Sequence, residues 1–189
     1  MENNLKNLIH SKRKRKPNGY ITVNKQEICH QTLKFELGNE LELNQTLTMI
    51  RFQENKWASV IIEFADFYKT SLSFCTLEKC VFSNVDFSTS YTISSTLKYC
   101  CFYNCTWNDE SRFVNSTFIN CVFSGGSVCQ AEWKSCTFIC TKFELDFNTA
   151  ILMSCEFSNN YDKSIQFDKE VYFMDVQHQI NSINDDDDS

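Results

Sequence analysis

Bulky apolar residues return every five positions along this chain. They fall at Phe52, Trp57, Ile62, Phe67, Leu72, Leu77, Phe82 and Phe87, skip at Thr92, and resume at Leu97, Phe102 and Trp107. The series slips by one residue through Asn108–Arg112 and continues at Phe113, Phe118, Phe123, Val128, Trp133, Phe138 and Phe143. Such a period matches neither a helix nor a strand. It suits a chain that turns a corner every few residues, the signature of a solenoid.

A second position keeps the same time. Two residues before each bulky centre the side chain is usually small, as at Ala65, Thr70, Cys75, Cys80, Val85, Ser90, Ser95, Cys100, Cys105, Ser111, Ser116, Cys121, Gly126, Ala131, Cys136 and Thr141. Residues two apart on an extended segment point to the same side. Each unit thus turns one large and one small group inward and three residues outward. Four units bring the chain over itself in about twenty residues, within the range of solenoid repeats.

Ala65-Asp66-Phe67-Tyr68-Lys69, Cys75-Thr76-Leu77-Glu78-Lys79 and Cys80-Val81-Phe82-Ser83-Asn84 resemble units of the pentapeptide-repeat family, A-(D/N)-(L/F)-x-x. The resemblance runs over residues 45–160. It implies an all-β fold, a right-handed, four-sided parallel β-helix with short capping segments. The chain departs from the pattern in using Cys and Ser at the small position and Phe at the centre, which keeps the required sizes. Stacking units four apart predicts two columns, Trp57-Leu77-Leu97-Phe118-Phe138 and Ile62-Phe82-Phe102-Phe123-Phe143, and five to six layers about 4.8 Å apart.

Outside the coil the expectations are a solvated, disordered basic arm at 1–17, an N-terminal cap at 18–44, a C-terminal cap or dimerisation segment at 161–184 and an acidic tail at 185–189. Leu33, Phe35 and Leu37 alternate like a strand, whereas Phe173, Val176, Ile180 and Ile183 have helical spacing. The arm carries Lys6, Lys12, Arg13, Lys14, Arg15 and Lys16 against Glu2, and residues 161–189 sum to −6, the same as the whole chain. A short charge run of this kind is usually a solvated face. No long apolar run suggests a membrane span, and without an apolar leader a cytoplasmic location is expected.

Eleven cysteines raise metal and disulfide chemistry, but the period absorbs them. Cys75, Cys80, Cys100, Cys105, Cys121, Cys136 and Cys155 take the small inward position, where a free Cys packs as a small hydrophobe. No C-x-x-C pair gives zinc spacing. The column Cys80-Cys100-Cys121 brings thiols within bridging range, and a reducing cytosol keeps them free. No cofactor or metal is expected.

Nor is catalysis. His10, His30 and His178 all lie outside the repeats, and no phosphate-cradling loop or metalloprotease motif occurs. Gly125-Gly126 reads as a turn adjustment.

Function must then lie in the outward columns. One would show Thr76, Thr96, Thr117 and Thr137, residues suited to β-structure. The next would show Ile61, Val81, Cys101 and Val122, an apolar stripe of the kind that marks a contact surface. A third would show Asp66, Asp86, Asp109 and Glu110 against Lys69. The candidate partner-binding residues are therefore Asp66, Asp86, Asp109, Glu110, Ile61, Val81 and Val122. The expected function is a non-catalytic scaffold for a protein partner, with a homodimer through a terminal cap as one form of assembly. The alternative, implied by the family resemblance, is a DNA mimic that binds a type II topoisomerase such as gyrase and protects it from inhibitors. Direct contact with nucleic acid is expected only through the basic arm.

Overall fold

The computed structural model describes residues 5–15, 20–34, 47–108, 110–148, 150–158, 166–167, 172–174 and 177–179. Each five-residue unit forms a three-residue strand, a left-handed corner residue and a small buried residue. In the unit centred on Leu77, Thr76–Glu78 is the strand, Lys79 turns the corner at φ 54° and Cys80 points inward. The same conformation recurs from Lys25 to Ser154, almost always on residues other than glycine.

Four units close a four-sided coil. The first face is an eight-stranded sheet running from Ile21–Asn24 through Ser71–Ser73 and Arg112–Val114 to Tyr172–Met174. The second, also eight-stranded, runs from Glu27–Cys29 through Thr96–Lys98 to Gln177–Gln179. The third begins at Thr32–Lys34 and has seven strands. Its longer members, Cys101–Trp107, Val122–Cys129 and Lys142–Asn148, bend onto the fourth face. There the earlier coils pair through the isolated bridges Asp66 to Asp86 and Asp86 to Thr106. All pairings are parallel and, apart from a one-residue shift between Ser124 and Ser127, in register, so like positions stack.

Both predicted columns form. Trp57, Leu77, Leu97, Phe118 and Phe138 pair in succession, as do Ile62, Phe82, Phe102, Phe123 and Phe143. Ring centroids repeat at the ladder spacing, 5.0 Å for Phe82–Phe102, 4.6 Å for Phe102–Phe123 and 5.0 Å for Phe123–Phe143, with planes within 13° of parallel. Within one coil the rings meet at steep angles, as Phe82 and Phe87 do at 63°. Offset stacks along the axis and edge contacts across it are the favoured aromatic geometries. Every centre from Phe52 to Phe143 is buried, and Thr92 holds its place between Leu72 and Phe113. The skip in the sequence is thus no skip in the coil.

The coil is longer than 45–160. Its first turn is residues 21–34, where Val23, Ile28 and Leu33 are buried centres five apart, and Ile21 pairs with Ile50 across the intervening segment. The region expected as an N-terminal cap therefore supplies a coil, and Leu33 belongs to it; Phe35 and Leu37 lie outside the described residues. At the other end Tyr172–Met174 and Gln177–Gln179 extend two faces as strands. Helical spacing is overridden there by the open sheet edge, whose unpaired backbone groups template another strand. Val176, Ile180, Ile183 and the acidic tail lie outside the described residues. Residues 45–160 supply six strands to each of the first two faces, in line with the expected five to six layers, and the segments at 21–34 and 172–179 bring each face to eight.

Leu5–Arg15 corrects the solvated arm, since it is an α-helix. Leu5 and Ile9 are buried and Leu8 packs against the same core, a stripe at i, i+3 and i+4 that covers the open end of the coil. The Leu5 N–H donates to Gln31 Oε1 at 2.9 Å, tying the helix start to the first turn.

Candidate functional site

The inward small position is more than a spacer. Ser95 Oγ donates to Leu72 O at 3.2 Å and to Ile93 O at 3.0 Å, and Ser116 repeats this on Thr92 and Val114. Thiols take the same path more loosely: Cys75 to Phe52 O at 3.5 Å, Cys121 to Leu97 O at 3.4 Å, Cys155 to Trp133 O at 3.2 Å. Asn55 does so with its amide, 2.7 Å from Val23 O. Where the slot carries a donor, that donor is aimed at the carbonyl one coil back, whereas Ala65, Val85 and Ala131 fill it by size alone, which refines the reading of these cysteines as plain hydrophobes.

All eleven cysteines are free. Burial pushes the Cys105 thiol up to about 12 and raises Cys75. Cys80 is raised first by its hydrogen bond with Cys100, and Cys100 by its bond with Cys121. Cys75, Cys80, Cys100 and Cys105 therefore resist ionisation, and a thiol that stays protonated is a poor nucleophile and metal ligand. Among the described residues no three of His, Cys, Asp and Glu converge as metal ligands. No helix among them is long and apolar enough to cross a membrane.

On the outer surface, Thr76, Thr96, Thr117 and Thr137 pair in order along the second face. Ile61, Val81, Cys101 and Val122 pair along the third and are all half-buried. The stripe ends at Lys142, which forms an ion pair with Glu144 and holds that carboxyl below its ordinary range. Beside the stripe, at the edge between the two faces, Tyr99 is 52% exposed, and Tyr103 follows Cys101 at 44%. The Tyr99 N–H bonds to the carbonyl of Ile119, itself half-buried with Ile139 on the second face. This aromatic and aliphatic edge was not singled out from the sequence. Its signal was there, in the residues that directly follow the centres Phe118 and Phe138.

The acidic column is different from the one expected. Asp66 and Asp86 stack on the fourth face, but the next residues up are Thr106, Ser127 and Asp146. Glu110 is at the slipped corner with φ 68°, outside that column, because the extra residue pushes it out of register. Asp109 lies outside the described residues. Both stacked carboxylates are also engaged. Asp66 Oδ1 accepts from Tyr68 N at 2.6 Å, and Asp86 Oδ1 accepts from Ser88 N, Ser88 Oγ and Thr106 Oγ1 at 2.8, 2.6 and 3.2 Å. These are Asx-type turns that hold the corner. Burial, and secondarily the neighbouring Asp86, raise the Asp66 carboxyl above its ordinary value despite the Tyr68 bond.

No family model and no curated protein matches the sequence. Among solved structures, the chain is similar to a pentapeptide repeat protein, Rfr23, from the cyanobacterium Cyanothece 51142, at 11% identity over 80% of this chain and 87% of that one, TM-score 0.32. It is similar to QnrB1, a plasmid-mediated fluoroquinolone resistance protein, at 12% identity over 79% and 90%, TM-score 0.34. A putative glycosyl hydrolase from Parabacteroides merdae also aligns, at 5% identity over 92% and 86%, TM-score 0.42. These likenesses concern the coiling of the chain, and no residue's role passes through them. The assignment of fold rests on this chain's own period and register: a five-residue unit, a left-handed corner after each centre, and four faces to the turn make it a pentapeptide-repeat β-helix.

Proposed function

We propose that this protein is a non-catalytic binding scaffold that offers the edge between its second and third faces to a protein partner. The observation that carries this reading is the in-register apolar stripe Ile61-Val81-Cys101-Val122, flanked by the exposed rings of Tyr99 and Tyr103. Apolar and aromatic groups gathered on one rigid side favour a contact surface. The test places Val81→Lys and Val122→Lys together in the full chain. Light scattering and capture on immobilised protein are then compared with the parent. Loss of a specific captured protein, or of a self-associated mass, is expected. Unchanged mass and unchanged capture would remove the stripe as an interface.

Protection of a type II topoisomerase by DNA mimicry is the second reading. It draws on the net charge of −6 and on the pair Asp66 and Asp86. Duplex DNA carries about one charge per 1.7 Å of axis. The fourth face instead interrupts its carboxylates with Thr106 and Ser127, and its two stacked carboxylates hold corners, so this reading ranks below the first. Gyrase supercoiling assayed with a quinolone and increasing amounts of this protein tests it. Activity that stays inhibited at every concentration eliminates it.

A further inference from the structure

We propose that the N-terminal helix and the first strand form a binding site for the phosphodiester backbone of a nucleic acid. The helix Leu5–Arg15 contains five cationic residues and no acidic one. Its C-terminal turn and the strand below it enclose an open concavity of about 390 Å³ lined by Lys12, Arg15, Tyr20, Ile21 and Thr22. No carboxylate among the described residues pairs with Lys12 or Arg15. The guanidinium of Arg51, one coil further on, lies 4.5 Å from the centre of the Tyr20 ring and adds a third fixed cation beside the concavity.

The lining has the composition of a phosphate contact. Backbone phosphates are held by Arg and Lys together with Ser, Thr and Tyr hydroxyls, and here Lys12 and Arg15 stand with Tyr20 and Thr22. Cations in the last helical turn also favour the helix dipole, which accounts for their presence on a helix but not for their convergence on a concavity with two hydroxyl residues. A membrane surface fits less well. A surface-bound helix must bury an apolar face in lipid, and the apolar face here, Leu5, Leu8 and Ile9, is already packed on the core of the coil. Arg15 is exposed and Lys12 half-exposed, so a polyanion can reach both. Binding is therefore a backbone contact of a few phosphates without base reading, and it is independent of the protein-binding stripe, which lies on other coils.

The packing of Leu5 and Ile9 dictates the experiment. Deleting the helix would uncover the coil end, so charge must be changed without shortening the chain. Fluorescence anisotropy of a labelled duplex is measured with the full-length protein at about 50 and 200 mM salt. Three phosphate contacts predict an affinity loss of roughly 40-fold between those salts. Lys12→Glu with Arg15→Glu is expected to weaken binding more than tenfold at the lower salt, with an unchanged melting temperature. Lys12→Gln with Arg15→Gln serves if the reversal unfolds the chain. Lys79→Glu with Lys98→Glu, on the second face and its corner, is expected to leave affinity within twofold. The proposal is overturned by no duplex binding at the lower salt, by binding that a folded Lys12/Arg15 variant retains in full, or by binding to phosphatidylserine vesicles and not to the duplex.

Discussion

Ser95 and Ser116 occupy the same inward slot as Ser111, and the three behave differently. At the first two each hydroxyl meets two carbonyls and also accepts a backbone N–H, from Cys75 at 3.0 Å and from Ser95 at 3.3 Å. Ser111 lies just past the inserted residue. It is as buried as the others, yet its Oγ has no hydrogen-bond partner among the described residues, and neither does Asn108 Oδ1 beside it. The ladder on either side is intact, with Tyr91 paired to Arg112 and Arg112 to Glu132. The irregularity is thus absorbed at a corner, at the expense of polar satisfaction, while the strands keep register. A second irregularity is handled by glycine. The pairing shifts by one between Ser124 and Ser127, and a Cβ on Gly126 would sit 1.9 Å from the carbonyl oxygen of Cys105.

The sharpest test of the regular region is its spine. Phe102→Ala removes a ring stacked between Phe82 and Phe123 and is expected to cost about 3–5 kcal/mol in urea unfolding. A loss under about 1 kcal/mol would mean the stack is not what holds the coils. At the glycine corner, Gly126→Ala should cost about 2–3 kcal/mol, since backbone cannot yield to a Cβ as a side chain would. Gly125→Ala, with its nearest neighbours at 3.7 Å, should cost only about 1 kcal/mol for its positive φ. Equal losses at the two positions would refute the close-approach argument.

The three serines give a smaller and more direct contrast. Ser95→Ala and Ser116→Ala are each expected to lose about 1 kcal/mol, the net worth of a satisfied buried hydrogen bond. Ser111→Ala should be neutral or slightly stabilising in the same unfolding assay, because it removes an unpaired buried hydroxyl. A loss at Ser111 matching that at Ser95 would sink the comparison. The smallest effect belongs to Asp66. Its native carboxyl titrates above the ordinary value of 3.8, so the native state holds the proton more tightly than the unfolded chain. Its contribution is then most favourable below that value and declines as pH rises through the raised one. Asp66→Asn keeps an acceptor for the Tyr68 N–H and removes this slope. The variant should gain on the parent as pH rises above 3.8, and a loss over the same rise would contradict the burial argument.

The inside of the coil was legible because one large and one small residue per five leave little freedom in register. Trp57 stacks on Leu77 and Phe82 on Phe102 as the spacing requires. The boundaries were harder. Val23, Ile28 and Leu33 keep the same beat as Phe52, but a long intervening segment separates them, and three short units look like noise when read alone. Past Phe143 the chain runs one residue short, so Phe147 and Leu152 fall off the count although Val128 pairs with Phe147 and Trp133 with Leu152. The helix was hidden by its charges, which drew attention from Leu5, Leu8 and Ile9 at helical spacing. The surface was legible only in part. Columns follow from register, so Val81 beside Cys101 could be foreseen, but Glu110 beside Asp86 could not be ruled out until the inserted residue had a definite corner to occupy.

The corners carry a consequence for how much stability this chain has left unused. Among the described residues, twenty-one other than glycine adopt positive φ, among them Phe74, Tyr99 and the β-branched Thr89, whereas only His30, Asn84, Asn104, Asn115 and Asn120 are of the types that tolerate it most easily. Each remaining corner is held against its intrinsic preference by the coils above and below. Solenoid stability is a sum over repeats and their interfaces, so exchanging exposed corners other than Tyr99 for Asn or Gly, one layer at a time, offers a graded way to raise the thermal tolerance of the protein while the proposed binding edge stays untouched.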